Sequence, residues 1–175
     1  MLTFETASLG AEYPRLLSAV LEHGDVVSPR GQETTEVRPL IVRLLDPKNC
    51  IVKRPQFSKA LMWMEIVQLL AGRFDWDLFN ELSPNAASLM NAYGAYGPRV
   101  VEQLDHAEAE LRKDPDSRRA VVYIGRPDAL RLANSYGAPC TCLWQFFVRD
   151  GALEMHVYMR SWDLVWGLSY DVPCF

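Results

Sequence analysis

The stretch Pro139-Cys140-Thr141-Cys142-Leu143-Trp144-Gln145-Phe146-Phe147-Val148-Arg149-Asp150-Gly151-Ala152-Leu153-Glu154-Met155-His156-Val157-Tyr158-Met159-Arg160-Ser161 decides how the chain is read. β-Branched and aromatic residues crowd positions 142–148 and 153–160. Asp150-Gly151 between them is a two-residue hairpin signal, because both residue types tolerate the positive φ that a tight turn between twisted strands requires. An antiparallel pair is therefore predicted. Cys140 and Cys142 stand at its entrance and are not expected to share a metal. One thiol can then line a cleft while the other packs. Cys50, Cys142 and Cys174 read as small buried hydrophobes.

Working outward, residues 119–125 predict a further strand. It follows a helix marked by Val100, Leu104, Ala107 and Leu111, which Asp114-Pro115-Asp116 terminates. Ser58 and Gly72 read as the N-cap and C-cap of a helix that is apolar on nearly every side and is expected deep in the core, with Glu65 in its middle. Residues 13–22 predict an amphipathic helix whose buried face carries Leu16, Leu17, Val20 and Leu21 and which stops at Gly24. A loop at 28–32 precedes a predicted strand over 36–45, ended by Asp46-Pro47. Interspersed helices and strands without repeats or linkers suit one α+β domain over residues 1–175.

With 175 residues, 49% of them hydrophobic, the chain is long enough for one well-buried core. Its net charge of −4 argues against holding nucleic acid by general electrostatics. A small phosphorylated ligand needs only a few placed guanidinium groups, and Arg30, Arg118, Arg119 and Arg160 with Ser161 offer such a set. Glu65 is the other anomaly, since a lone carboxylate on an apolar helix is either paired or placed for proton transfer. Four cysteines without framework spacing, no charged-then-apolar leader and no long apolar run lead us to expect a cytoplasmic protein with free thiols and no membrane span.

In order and separation, Asp114-Pro115-Asp116-Ser117-Arg118-Arg119, Pro139-Cys140, Gln145-Phe146, Arg160-Ser161-Trp162-Asp163 and the segment from Gly167 to Asp171 resemble the successive signatures of thymidylate synthases and the related nucleotide hydroxymethylases. The helix from Glu65 to Gly72 and the pair Tyr93-Gly94 are similar to upstream motifs of the same superfamily. The resemblance implies an α+β fold with a large mixed or antiparallel sheet packed with helices. It implies Cys140 as nucleophile, Glu65 as the carboxylate that orders water and moves protons, and Tyr93 as part of their hydrogen-bond network. Arg30, Arg160 and Ser161 would hold a nucleotide phosphate, and Arg118 and Arg119 would reach it from the second subunit of a homodimer. Asp163 and Gly167 would face 5,10-methylenetetrahydrofolate, while Gln145 and Asp171 would read the pyrimidine.

Asp171 is the informative departure, because thymidylate synthases carry Asn there. Uracil presents a ring N–H and a carbonyl, matched by an amide; cytosine presents a ring acceptor and an amino donor, and a carboxylate accepts from the latter. The resemblance is accordingly nearest to the CMP and dCMP 5-hydroxymethylases, which implies hydroxymethylation of CMP or dCMP. Methylation of dUMP and a non-catalytic nucleotide- or RNA-binding relative are the alternatives. Thr141 stands in place of His, Met159 in place of Gln, and Gly97-Pro98-Arg99 near an expected Trp-Arg. Family members continue beyond the position of Phe175, so the sequence is expected to be a C-terminally incomplete portion, cut within a core strand.

Overall fold

The computed structural model describes residues 1–84, 95–125 and 138–175, which fall into two units: residues 1–57, 164–173 and 175, and residues 58–163 and 174. In chain order the elements are β1 (Leu2–Thr6), α1 (Leu9–His23), β2 (Asp25–Val27), β3 (Thr34–Glu36), β4 (Leu40–Leu44), α2 (Lys59–Leu70), α3 (Trp76–Leu82), α4 (Gly97–Lys113), β5 (Val121–Tyr123), β6 (Thr141–Arg149), β7 (Ala152–Met159) and α5 (Gly167–Cys174). The mixture is α+β, with the described strands divided among three sheets, one parallel and two antiparallel.

In the first unit β1 pairs in parallel with β4, and β2 pairs antiparallel with β3. The expected strand over 36–45 is in fact two short strands. Pro39 lies between them and has no N–H to give to a ladder. Helix α1 starts four residues earlier than its apolar stripe indicated, because the Ser8 side chain accepts from Ala11 N–H at 3.4 Å and caps it. Leu16 is fully buried, whereas Leu21, assigned to the same face, is 74% exposed. The segment expected as a core strand at the end of the sequence is helix α5. Its backbone bonds close within the segment, Phe175 N–H donating to the carbonyls of Asp171 and Val172, so no neighbouring strand is needed.

In the second unit Ser58 caps α2 as expected, its Oγ accepting from Leu61 N–H at 3.2 Å. The deep burial expected on every side is not found. Leu61, Met62, Met64, Gln68 and Leu69 are buried, but Trp63, Val67 and Leu70 form an exposed stripe at i, i+4, i+7. Helix α4 opens on Gly97, where only a glycine fits: a Cβ there would lie 2.7 Å from Gln68 O and 3.0 Å from Arg73 O. Pro98 follows at the first turn, where a missing N–H costs nothing.

Strands β5, β6 and β7 form an antiparallel sheet in that order, and Asp150 (φ 53°) and Gly151 (φ 74°) make the tight turn between β6 and β7. Gln103 of α4 covers the outer edge of β5. Its amide donates to Tyr123 O at 3.0 Å and accepts from Tyr123 N–H at 2.9 Å, taking up backbone bonds that no described strand makes there.

Candidate active site

Hairpin register makes the first half of the site. Cys140 immediately precedes β6 and Arg160 immediately follows β7, and the pairing of Thr141 with Met159 brings them together. Arg160 then wraps the chain around the thiol. Its backbone N–H donates to Cys140 O at 2.9 Å, Nε donates to Pro139 O at 3.0 Å, and Nη2 donates to Ala138 O at 2.9 Å while standing 3.7 Å from Cys140 Sγ. A guanidinium so placed favours the thiolate, the nucleophilic form. Cys142 turns its sulfur toward the Cys140 carbonyl, at 4.0 Å.

Thr141, fully buried, ties this corner to the start of α4. Its N–H and its hydroxyl reach Tyr96 Oη at 3.4 and 3.2 Å. Tyr93, expected in the network, lies outside the described residues; Tyr96-Gly97 is a second Tyr-Gly pair three residues on. Glu65 lies half-buried in the middle of α2, and Ser161 and Asp163 are exposed. Between the last two, Trp162 keeps its indole Nε1 buried without a hydrogen-bond partner among the described residues. An orphan indole donor suits an acceptor at the edge of a pterin, and the Asp163 carboxylate is the next residue along the chain.

Arg118 and Arg119 sit at the other end of β6, on a turn that three side chains fasten. Gln145, expected at the base, donates its amide to Arg118 O at 2.9 Å. Arg149 donates to the carbonyls of Pro115 and Asp116, at 3.4 and 3.2 Å. Glu110 Oε1 accepts from Ser117 Oγ at 2.7 Å and from Arg119 Nε and Nη2 at 2.9 and 2.8 Å. The Ser117 hydrogen bond first, and the Arg119 contacts next, hold the Glu110 carboxyl below the ordinary glutamate range. Phe146 N–H donates to Ala120 O, which fixes the arginine turn beside residue 146. Cys140 lies six residues back along the strand, at most roughly 20 Å at ~3.3 Å per residue, because the irregularity between Thr141 and Leu143 shortens the path. Even so shortened, that span exceeds the distance from phosphate to ring in a nucleoside monophosphate.

The remaining candidates belong to the first unit. Arg30 is exposed in a single 3-10 turn, with φ of 55°. Gly167 opens α5 and Asp171 is half-buried on it. Arg54 anchors that helix, donating from Nε to Ser169 Oγ at 3.0 Å while its guanidinium lies 5.3 and 5.6 Å from the ring centres of Trp166 and Tyr170.

Residues 56–174 match the family model described as thymidylate synthase, a span that contains Glu65, both members of the arginine pair, Cys140, Arg160 and Asp171 but not Arg30. The chain belongs to the thymidylate synthase family. Among curated proteins it is 29% identical over 189 residues to a protein of Bacillus phage SP01 named deoxyuridylate hydroxymethyltransferase, in an alignment covering 95% of this chain and 49% of that protein. The chain thus spans about half the length of the relative it matches. Within this thymidylate synthase-family chain, sequence reasoning missed Tyr96, Glu110 and Arg149. For Tyr96 the repeated Tyr-Gly was a usable signal. Glu110 and Arg149 carried none, since each looks like an ordinary solvated charge.

Proposed function

We propose that the chain is part of an enzyme that hydroxymethylates carbon 5 of a pyrimidine nucleoside monophosphate, with cytidylate (CMP or dCMP) as the favoured base. The observation that carries the chemistry is the Arg160 guanidinium 3.7 Å from Cys140 Sγ, on a half-buried thiol held between two strand ends. 5,10-Methylenetetrahydrofolate supplies a one-carbon unit at the oxidation level of formaldehyde, with Trp162, Asp163 and Gly167 as the residues to hold it.

The chain's own part follows from its side chains. The Cys140 thiolate forms a bond to ring carbon 6, which makes carbon 5 nucleophilic, and it leaves when the ring double bond re-forms. Glu65 takes up the carbon 5 proton and places the water whose oxygen ends in the hydroxymethyl group. Arg30, Arg160 and Ser161 bind the phosphate, and the Asp171 carboxylate accepts from the cytosine amino group.

The distance of up to roughly 20 Å along β6 between the arginine pair and Cys140 supports a homodimer, in which Arg118 and Arg119 serve the site of the other subunit. Mixing a Cys140→Ser protein with an Arg118→Ala/Arg119→Ala protein tests this, because hybrid dimers regain one intact site. No recovery of activity on mixing refutes the shared site.

Uridylate is the second reading, favoured by the name of the phage relative. Incubation with CMP, dCMP and dUMP and methylenetetrahydrofolate, with products weighed by mass spectrometry, separates the two. Dihydrofolate release would mark a methylating enzyme, and turnover by Cys140→Ala would remove the covalent mechanism. Asp171→Asn is expected to shift preference toward uridylates in competition kinetics.

A further inference from the structure

We infer that Glu110 is a positioning residue that holds Arg119 for a phosphate monoester by fixing one edge of its guanidinium. This rests on the reading of Arg118 and Arg119 as phosphate ligands across the dimer. Three donors converge on one oxygen of Glu110: the Ser117 hydroxyl at 2.7 Å, and Nε and Nη2 of Arg119 at 2.9 and 2.8 Å. A planar guanidinium has five N–H donors in a fixed fork, so this contact occupies its Nε–Nη2 side and leaves Nη1 and the second Nη2 hydrogen.

The geometry around the pair suits delivery of that second edge. Arg119 is 77% exposed while Glu110 is only 21% exposed, so the carboxylate is the covered partner and the guanidinium the accessible one. Arg119 and Glu110 line a groove of about 390 Å³ together with His106 and Lys113 of α4. Two paired donors in one plane are what a phosphate takes up best. The backbone beneath is equally constrained. Gln145 holds Arg118 O, Arg149 holds Pro115 O and Asp116 O, and Ser117 Oγ accepts from Arg119 N–H at 3.1 Å.

Without Glu110 the long Arg119 side chain regains its rotamers, and that freedom must be lost again on each binding event. Loss therefore falls on binding and not on the chemical step. Glu110 also carries a negative charge, which on its own would repel a phosphate. Its effect on affinity thus has a sign that experiment can read.

The test compares Glu110→Ala, Glu110→Gln, Arg118→Ala and Arg119→Ala, with binding of CMP, dCMP, dUMP and the matching nucleosides followed by calorimetry, and KM and kcat by turnover. Glu110→Ala is expected to raise Kd and KM for the bound nucleotide about five- to tenfold, with kcat changed less than about twofold and nucleoside binding unaffected. Glu110→Gln keeps an acceptor for Ser117 and Arg119 and recovers part of the loss. Unchanged or tighter nucleotide binding by Glu110→Ala, with weaker binding by Arg119→Ala, overturns the positioning role and leaves the phosphate reading standing. Unchanged nucleotide binding in both arginine variants overturns the phosphate reading, and the role of Glu110 with it. A drop in kcat or in nucleoside binding with Glu110→Ala would instead mark a general structural role and also refute the inference.

Discussion

Replacing Arg160 should slow the chemistry of Cys140 through charge, separately from any effect on the fold. Two opposite unit charges at the observed 3.7 Å attract by about 1 kcal/mol in a water-like dielectric and by about 4.5 kcal/mol at an effective dielectric of about 20. Arg160 is exposed, which places the pair near the water limit. About 1 kcal/mol corresponds to roughly a fivefold change in the thiolate population near neutral pH. The assay is the rate of alkylation by iodoacetamide in a protein whose Cys50, Cys142 and Cys174 are changed to Ala, at low ionic strength. Arg160→Gln is expected to react about fivefold more slowly than its parent. Arg160→Lys keeps the charge but not the fork that holds Ala138 O and Pro139 O, so it should lie between the two. Raising salt should shrink the gap, because an exposed pair is screened. Equal alkylation rates for Arg160→Gln and the parent at low salt would refute the electrostatic argument.

Three further outcomes follow from particular contacts. Ser58→Ala removes the cap on α2 and is expected to cost about 1 kcal/mol, read as a lower urea midpoint with unchanged slope. Gly97→Ala drives a methyl group to 2.7 Å from Gln68 O, with backbone on both sides and nowhere to move, and is expected to cost about 1–3 kcal/mol or more in thermal unfolding. A folded Glu110 carboxyl held below its ordinary value stabilises the fold at pH above the unfolded value, and that contribution is lost as pH falls through the folded value. The stability gap between the parent and Glu110→Gln should accordingly be present near neutrality and close as pH drops below about 4. A gap independent of pH would contradict it.

Several features could be read residue by residue because their causes are local. Ser58 caps α2, and Asp150-Gly151 turns the hairpin, because cap and turn chemistry act over three or four residues. The limits of that reading are equally physical. A stripe with period 3.6 says which residues share a face, not whether anything covers it, so Leu21 and the Trp63, Val67 and Leu70 stripe were assigned to a core they do not enter. A core strand was expected at the end of the sequence and helix α5 stands there, a short apolar run being ambiguous between the two.

The candidate site divides the same way. Cys140, Arg160, Asp171 and the arginine pair were identified from the order of motifs, a property of the linear chain. The register of β5, β6 and β7 decided the rest: it set Arg160 on the thiol and carried Arg118 and Arg119 to the far end of β6. It also gave Gln145 to the arginine turn, and chain folding placed Glu110 under Arg119. By itself the sequence determined which chemical groups the protein owns and where its helices are capped and its hairpin turns. Only the tertiary structure decided which of those groups meet, because pairing between strands and docking of a helix join residues far apart in sequence through contacts that no local rule encodes.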